Sequence, residues 1–258
     1  MNNHTNFILK PIANVLKDAI TASAGIGNGI ETYPLCDYIF QSTFLKMTGF
    51  QEQKMKCICW EMASNDYEYR YKRYSQNPLG ECSCIEEKNK VYSDLINQIT
   101  KRNPTFDIQS TINKQELLLE IKTEIATLFD HTNWSIWLQN DYNKYKDIVQ
   151  EFEGNCFIGG KKLFVKCENC NKNGKNHSIP KCANALNLES IYDKLYIHRN
   201  QCAHNTLSYQ QNLPTLTTLA KDDYKYNNYF VYFFLLILID KIVIYLYENY
   251  LNVLRNSI

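Results

Sequence analysis

The stretch Tyr229-Phe230-Val231-Tyr232-Phe233-Phe234-Leu235-Leu236-Ile237-Leu238-Ile239-Asp240-Lys241 decides the fold. Its apolar run ends at Ile239, where Asp240 and Lys241 intervene. That is well short of the roughly 20 residues needed to cross a bilayer. We therefore read it as the centre of a long buried helix, Tyr226 to Asn252, and expect no membrane partner. A helix that is apolar on every side must be covered by other elements.

The sequence upstream supplies the cover. Gly and Pro are scarce, 9 and 6 in 258 residues, and apolar residues recur at three- and four-residue intervals. Both features predict an all-α protein. A first helix is expected over Phe7 to Thr21, with Ile8, Ile12, Val15, Leu16 and Ile20 inward. A second fits Tyr33 to Lys46. Thr48 and Gly49 open a third, along which Met55, Ile58, Cys59 and Met62 form a stripe. Asn77-Pro78-Leu79-Gly80 breaks the chain. Helices follow over Ile85 to Thr100 and Lys114 to Phe129, and a Trp- and Tyr-rich one lies between Thr132 and Phe152. Character changes at Gly154. Residues 1–153 read as an N-terminal helical region, 154–185 as a Cys- and Lys-rich insert, and 186–258 as a helical C-terminal region. The insert begins with a small β-hairpin, Cys156 to Val165, turning at Gly159-Gly160.

Charge and cysteine content narrow the functional classes. Lys+Arg 28 against Asp+Glu 27 gives a net charge of +1, so the chain as a whole carries no nucleic-acid or membrane signature, and any such signal is local. The hydrophobic fraction of 45% is that of a globular protein. Ten cysteines behind an N-terminus without a secretory pattern point to a reducing compartment, the cytoplasm.

The most specific local chemistry is Arg199-Asn200-Gln201-Cys202-Ala203-His204, on a helix expected from Leu186 to about Leu207 with Leu188, Ile191, Leu195 and Cys202 as its apolar stripe. A guanidinium grips two phosphate oxygens and keeps its charge. An imidazole exchanges protons near neutral pH. RNA brings its own nucleophile, the 2′-hydroxyl, so these groups suffice for cleavage to a 2′,3′-cyclic phosphate without a metal, with Asn200 orienting the histidine or bonding a phosphate oxygen. Arg199 and His204 lie about 140° apart in azimuth and about 7.5 Å apart along an ideal helix. Either the helix is distorted there, or two copies pool their polar groups in a homodimer interface. The structural alternative is that Arg199 pairs with Glu189 or Asp193 and that His204 caps the helix.

Arg199-Asn200-x-x-Ala203-His204, on the penultimate helix of a helical C-terminal half, resembles the Arg-x4-6-His motif of the HEPN superfamily. The string is similar to that of HEPN ribonucleases of abortive-infection systems and of RNA-targeting CRISPR effectors. The resemblance covers roughly Leu186 to Leu254. It implies a HEPN-type helical bundle, Arg199 and His204 as catalytic residues with Asn200 as their polar companion, RNA as substrate, paired motifs, no catalytic cofactor, and a role in antiphage defence with a regulatory partner such as a protein, guide or antitoxin. Toxins of the two-component HEPN systems often carry a tyrosine two positions after the histidine; here that position is Thr206. The alternative is a non-catalytic HEPN-like module that binds nucleic acid or a protein.

Two further clusters carry chemistry. Cys167-x2-Cys170-x6-His177-x4-Cys182 has the ligand types and short spacings of a structural zinc site, and free loop thiols are the competing reading. Cys57-x-Cys59 with Cys82-x-Cys84 is a second candidate set, read mainly as buried thiols. Lys161, Lys162, Lys166, Lys172, Lys175 and Lys181 crowd the same insert and are candidate RNA contacts. So are Arg70 and Arg73, interleaved with Tyr67, Tyr69, Tyr71 and Tyr74, which could stack bases or pack partly on the core.

Overall fold

The computed structural model describes residues 3–151, 158–164, 188–204 and 226–256. It is mostly helical, as the periodicity requires. In chain order the described helices are α1 (Asn3–Leu9), α2 (Ala13–Ser23), α3 (Tyr33–Asn65), α4 (Tyr67–Tyr71), α5 (Ile85–Thr100), α6 (Ile108–Thr111), α7 (Lys114–Phe129), α8 (Asn133–Trp137), α9 (Gln139–Glu151), α10 (Leu188–His204) and α11 (Tyr229–Arg255). A 3₁₀ turn, Ile30–Thr32, leads into α3, and a π-helical turn, Lys72–Gln76, continues α4.

The last helix is the axis of the fold. Asn228 caps it by accepting from the Phe230 N–H at 2.9 Å. It packs against α1, α3, α5, α7, α9 and α10, and every residue from Phe230 to Ile239 is buried. By length and hydropathy α11 could span a membrane, but 78% of its most apolar window is covered by the rest of the chain. Asp240, which ends the apolar run, is also buried. Its carboxylate accepts from Lys54 Nζ at 2.5 Å and from the Ile12 N–H at 2.9 Å, while Lys54 also donates to the Lys10 carbonyl at 2.7 Å. One ion pair thus ties α3, α11 and the link between α1 and α2 together.

Four of the expected helices are divided or joined differently. The first helix is two, because Pro11 lacks an N–H and disfavours helical geometry at the residue before it; α1 ends at Leu9 and α2 begins at Ala13. The second and third are one helix of 33 residues. Gly49 lies on its exposed side, and the buried stripe Phe40, Phe44, Met47, Gln51, Met55, Ile58, Met62 passes the glycine without interruption. The Trp- and Tyr-rich segment is broken at Leu138, whose φ −118 and ψ 47 leave helical space. The limits of α5 and α7 are those expected.

Of the hairpin, Ile158 and Leu163 form one antiparallel bridge, with the Gly159 N–H donating to the Lys162 carbonyl at 3.0 Å. The turn therefore sits at Gly160-Lys161. Cys156 and Val165 lie outside the described residues. The bridge is docked on α5: Tyr92 donates to the Gly159 carbonyl at 2.7 Å, and Asn89 accepts from the Leu163 N–H at 2.8 Å. A single apolar cluster runs from Ile8 to Tyr250 and includes Ile158, Leu163 and the inner face of α10, so the three sequence regions share one core.

Candidate functional site

Helix α10 buries Leu188, Ile191, Tyr192 and Leu195. The same stripe, continued by steps of three and four, brings His198 and then Cys202 inward. Arg199 therefore lies beside the buried face and reaches sideways to α3. Its Nη2 donates to Glu52 Oε2 at 3.1 Å and its Nη1 to Asn200 Oδ1 at 3.1 Å. The guanidinium side chain keeps 23% of its exposure and the Glu52 side chain 12%. The acid that holds Arg199 is thus Glu52, neither Glu189 nor Asp193. No local spacing connects residues 52 and 199; only the antiparallel docking of α10 on α3 does.

Glu52 sits above a buried polar layer. Lys88 of α5 is buried and donates to the Cys82 carbonyl at 2.6 Å. Burial pulls its ammonium down to about 8, against the opposing pull of the Glu52 charge. Tyr192 of α10 donates to the Ser83 carbonyl at 2.9 Å, and its ring lies 5.8 Å from Lys88 Nζ. Burial pushes its phenol well above the ordinary range. Arg199 is held at the outer edge of this layer.

His204 is exposed at the end of α10. The helix remains regular from Arg199 to His204, so the two side chains leave it in different directions, and one chain brings Arg199 to Asn200 but leaves His204 apart. The imidazole turned toward the core is instead His198, which is partly buried. Its Nε2 lies 3.1 Å from the Tyr229 hydroxyl and 3.5 Å from Cys202 Sγ, with Phe44, Tyr229 and Tyr232 rings around it. Burial lowers the His198 pKa and pushes the Cys202 thiol up to about 11. Burial thus favours the neutral imidazole, against the opposing pull of the Asp37 charge. Its position at i+3 from Leu195 on the apolar stripe is the signal that marks it as an inward residue.

The other expected contacts divide. Lys161 and Lys162 are exposed on the bridge turn. Lys166, Lys172, Lys175 and Lys181 lie outside the described residues, as do Cys167, Cys170, His177 and Cys182. Arg70 is exposed, and so are Tyr67, Tyr71 and Tyr74, while Tyr69 is core. Arg73 corrects its expected role: it is bound through two nitrogens to Asp94 at 2.5 and 2.7 Å and is a buttress between the π turn and α5. Cys57, Cys59 and Cys82 are buried free thiols. Among the described residues no three His, Cys, Asp or Glu side chains converge to hold a metal.

Comparison of the chain with protein-family models, with curated proteins and with solved structures finds no match.

Proposed function

We propose that this chain is a metal-independent endoribonuclease of HEPN type that cuts single-stranded RNA at a site completed by a second copy. The observation that carries this reading is the arrangement on α10. A guanidinium is fixed by Glu52 and Asn200 yet open on one side, with an exposed histidine at the end of the same helix. Two of the five guanidinium N–H donors are engaged in these bonds, and those remaining can hold a phosphate. His204 takes the 2′-hydroxyl proton, O2′ forms a bond to phosphorus, Arg199 stabilises the charge on the phosphorane, and the 5′ oxygen leaves with a proton from the medium. The products are a 2′,3′-cyclic phosphate and a 5′-hydroxyl. Exposed apolar side chains on the two helices of the site, Tyr33, Leu35 and Tyr38 on α3 and Ile197 on α10, favour a homodimer. A place in antiphage defence rests on the motif resemblance alone.

The Arg199–Glu52 pair also favours a second reading, a HEPN-like binding module in which the arginine only joins two helices. Purified full-length protein incubated with single-stranded RNA in EDTA separates the two. Cleavage to cyclic-phosphate ends, lost in Arg199→Ala and in His204→Ala with the fold intact, supports the nuclease. RNA bound equally by all three proteins and cut by none supports the module.

A further inference from the structure

A cleft of about 500 Å³ lies between α3 and the π turn. Trp60 and Tyr74 line it with ring centroids 6.2 Å apart and planes at 83°. Each is 51% exposed. Cys57, Cys59 and Leu79 form an apolar floor. Burial pushes the Cys59 thiol up to about 12, so that floor is uncharged. Lys56 lies at the edge, paired with Glu81 on the surface.

The backbone that presents Tyr74 is itself unusual. The Asn77 N–H donates to the Lys72 carbonyl at 2.8 Å, an i→i+5 bond. Such π turns are rare and concentrate at functional sites. Here the Arg73–Asp94 pair anchors the turn while the next side chain, Tyr74, faces Trp60.

The cleft lies along the same helix as the Arg199 contact. Glu52, Lys56 and Trp60 follow each other at four-residue intervals along one side of α3, so the Arg199 contact and the aromatic wall are about 12 Å apart along the helix. Glu81, which pairs with Lys56, feels the Arg199 charge as well.

We propose that the Trp60–Tyr74 cleft binds a nucleobase and is the base-recognition subsite for the RNA strand whose phosphate Arg199 holds. This rests on the ribonuclease reading for the identity of the strand. The walls fit a base better than an acyl chain or an aliphatic side chain. A nucleotide offers a flat π face to one of the two perpendicular rings and a ring edge to the other, polar base edges to Gln53 at the cleft wall, and a phosphate to Lys56, which would exchange Glu81 for it. Lys56 is the rim cation best placed to change partners, because its carboxylate, Glu81, is itself on the surface.

The full-length chain is titrated with AMP and with a 2′-O-methyl oligoadenylate, which lacks the nucleophile and cannot be cut. Tryptophan fluorescence follows the first and anisotropy of an end-labelled strand the second. The strand binds, and Trp60→Leu and Tyr74→Ala each weaken it about tenfold or more, with helical circular dichroism unchanged because both side chains are half outside the core. Arg199→Ala weakens the strand and leaves AMP binding as it was. Equal strand affinity in wild type and both aromatic variants overturns the proposal. So does AMP binding with no strand binding, which would make the occupant a free nucleotide. Trp60-dependent strand binding by a wild-type protein that never cleaves RNA supports the base subsite while removing the ribonuclease reading.

Discussion

Arg199 meets Glu52 at 3.1 Å across a sequence separation of 147 residues, at the contact between α10 and α3. Removing the guanidinium leaves a largely buried carboxylate beside the ammonium of Lys88; removing the carboxylate leaves an arginine that turns to water. The two deletions are therefore unequal. Arg199→Ala is expected to destabilise by about 1–2 kcal/mol, the lower part of the range for an orphaned buried acceptor because Arg199 is partly solvated. Glu52→Gln costs less than about 1 kcal/mol, since an amide still accepts from Arg199. Urea denaturation of the two variants and their double checks this, and a double variant less stable than the sum of the singles would contradict direct coupling. On the ribonuclease reading, Glu52→Gln retains cleavage while Arg199→Ala loses it.

The deeper pair behaves differently. Lys54 and Asp240 are both almost fully buried, 1% and 2% exposed, and each has further main-chain partners at Lys10 and Ile12. Burial pulls the lysine down and the aspartic acid up, against their mutual attraction. Asp240→Ala strands an ammonium in the core and is expected to cost about 3–5 kcal/mol. Lys54→Met with Asp240→Leu recovers most of that loss, because two apolar groups need no partners. Thermal unfolding reads both, and a double variant as unstable as the single would show that the Ile12 and Lys10 contacts dominate.

The pattern of what the sequence reveals follows from the range of each interaction. Ends of α5 and α7 are legible because their apolar periodicity stops at local signals: Asn113 caps α7 by accepting from Gln115 and Glu116 N–H groups. Pro11 is also a local signal, and its effect on the first helix follows directly from its missing N–H. Glu52 was not legible as the partner of Arg199, since nothing near either residue encodes the crossing of α10 on α3. His198 falls on the α10 stripe by register, three residues after Leu195 and four before Cys202, whereas His204, the histidine of the motif, is exposed at the helix end. Arg73 reads locally as a phosphate contact because the adjacent tyrosines alternate with cations; Asp94, twenty-one residues further on, takes two of its nitrogens.

Gly49 tests why α3 is continuous. The helix carries on through this residue because buried neighbours on the opposite side hold it, not because glycine favours helix. A Cβ built there meets no atom within 4 Å, so alanine adds helical propensity without a clash. Gly49→Ala is expected to stabilise the chain by about 0.5–1 kcal/mol, read as a raised urea midpoint at unchanged slope. A lowered midpoint would mean that the glycine serves a close approach, such as a partner helix seated on that side.

Lys88 predicts a pH signature. Its folded pKa is about 8 against an ordinary 10.5, because burial disfavours the ammonium more than Glu52, Cys82, Cys84 and Glu87 together favour it. Between those two values the unfolded chain holds a proton that the folded chain has released. Stability attributable to Lys88 therefore rises with pH across the window from about 8 to 10.5, and it is lost again as pH falls back through 8. The full swing is on the order of 3 kcal/mol. Since tyrosines and other lysines titrate in the same range, the measurement is the difference between wild type and Lys88→Met in urea at pH 7.5 and pH 10. Lys88→Met lacks this rise, and parallel profiles for the two proteins would show that the ammonium keeps its charge inside the fold, held by Glu52.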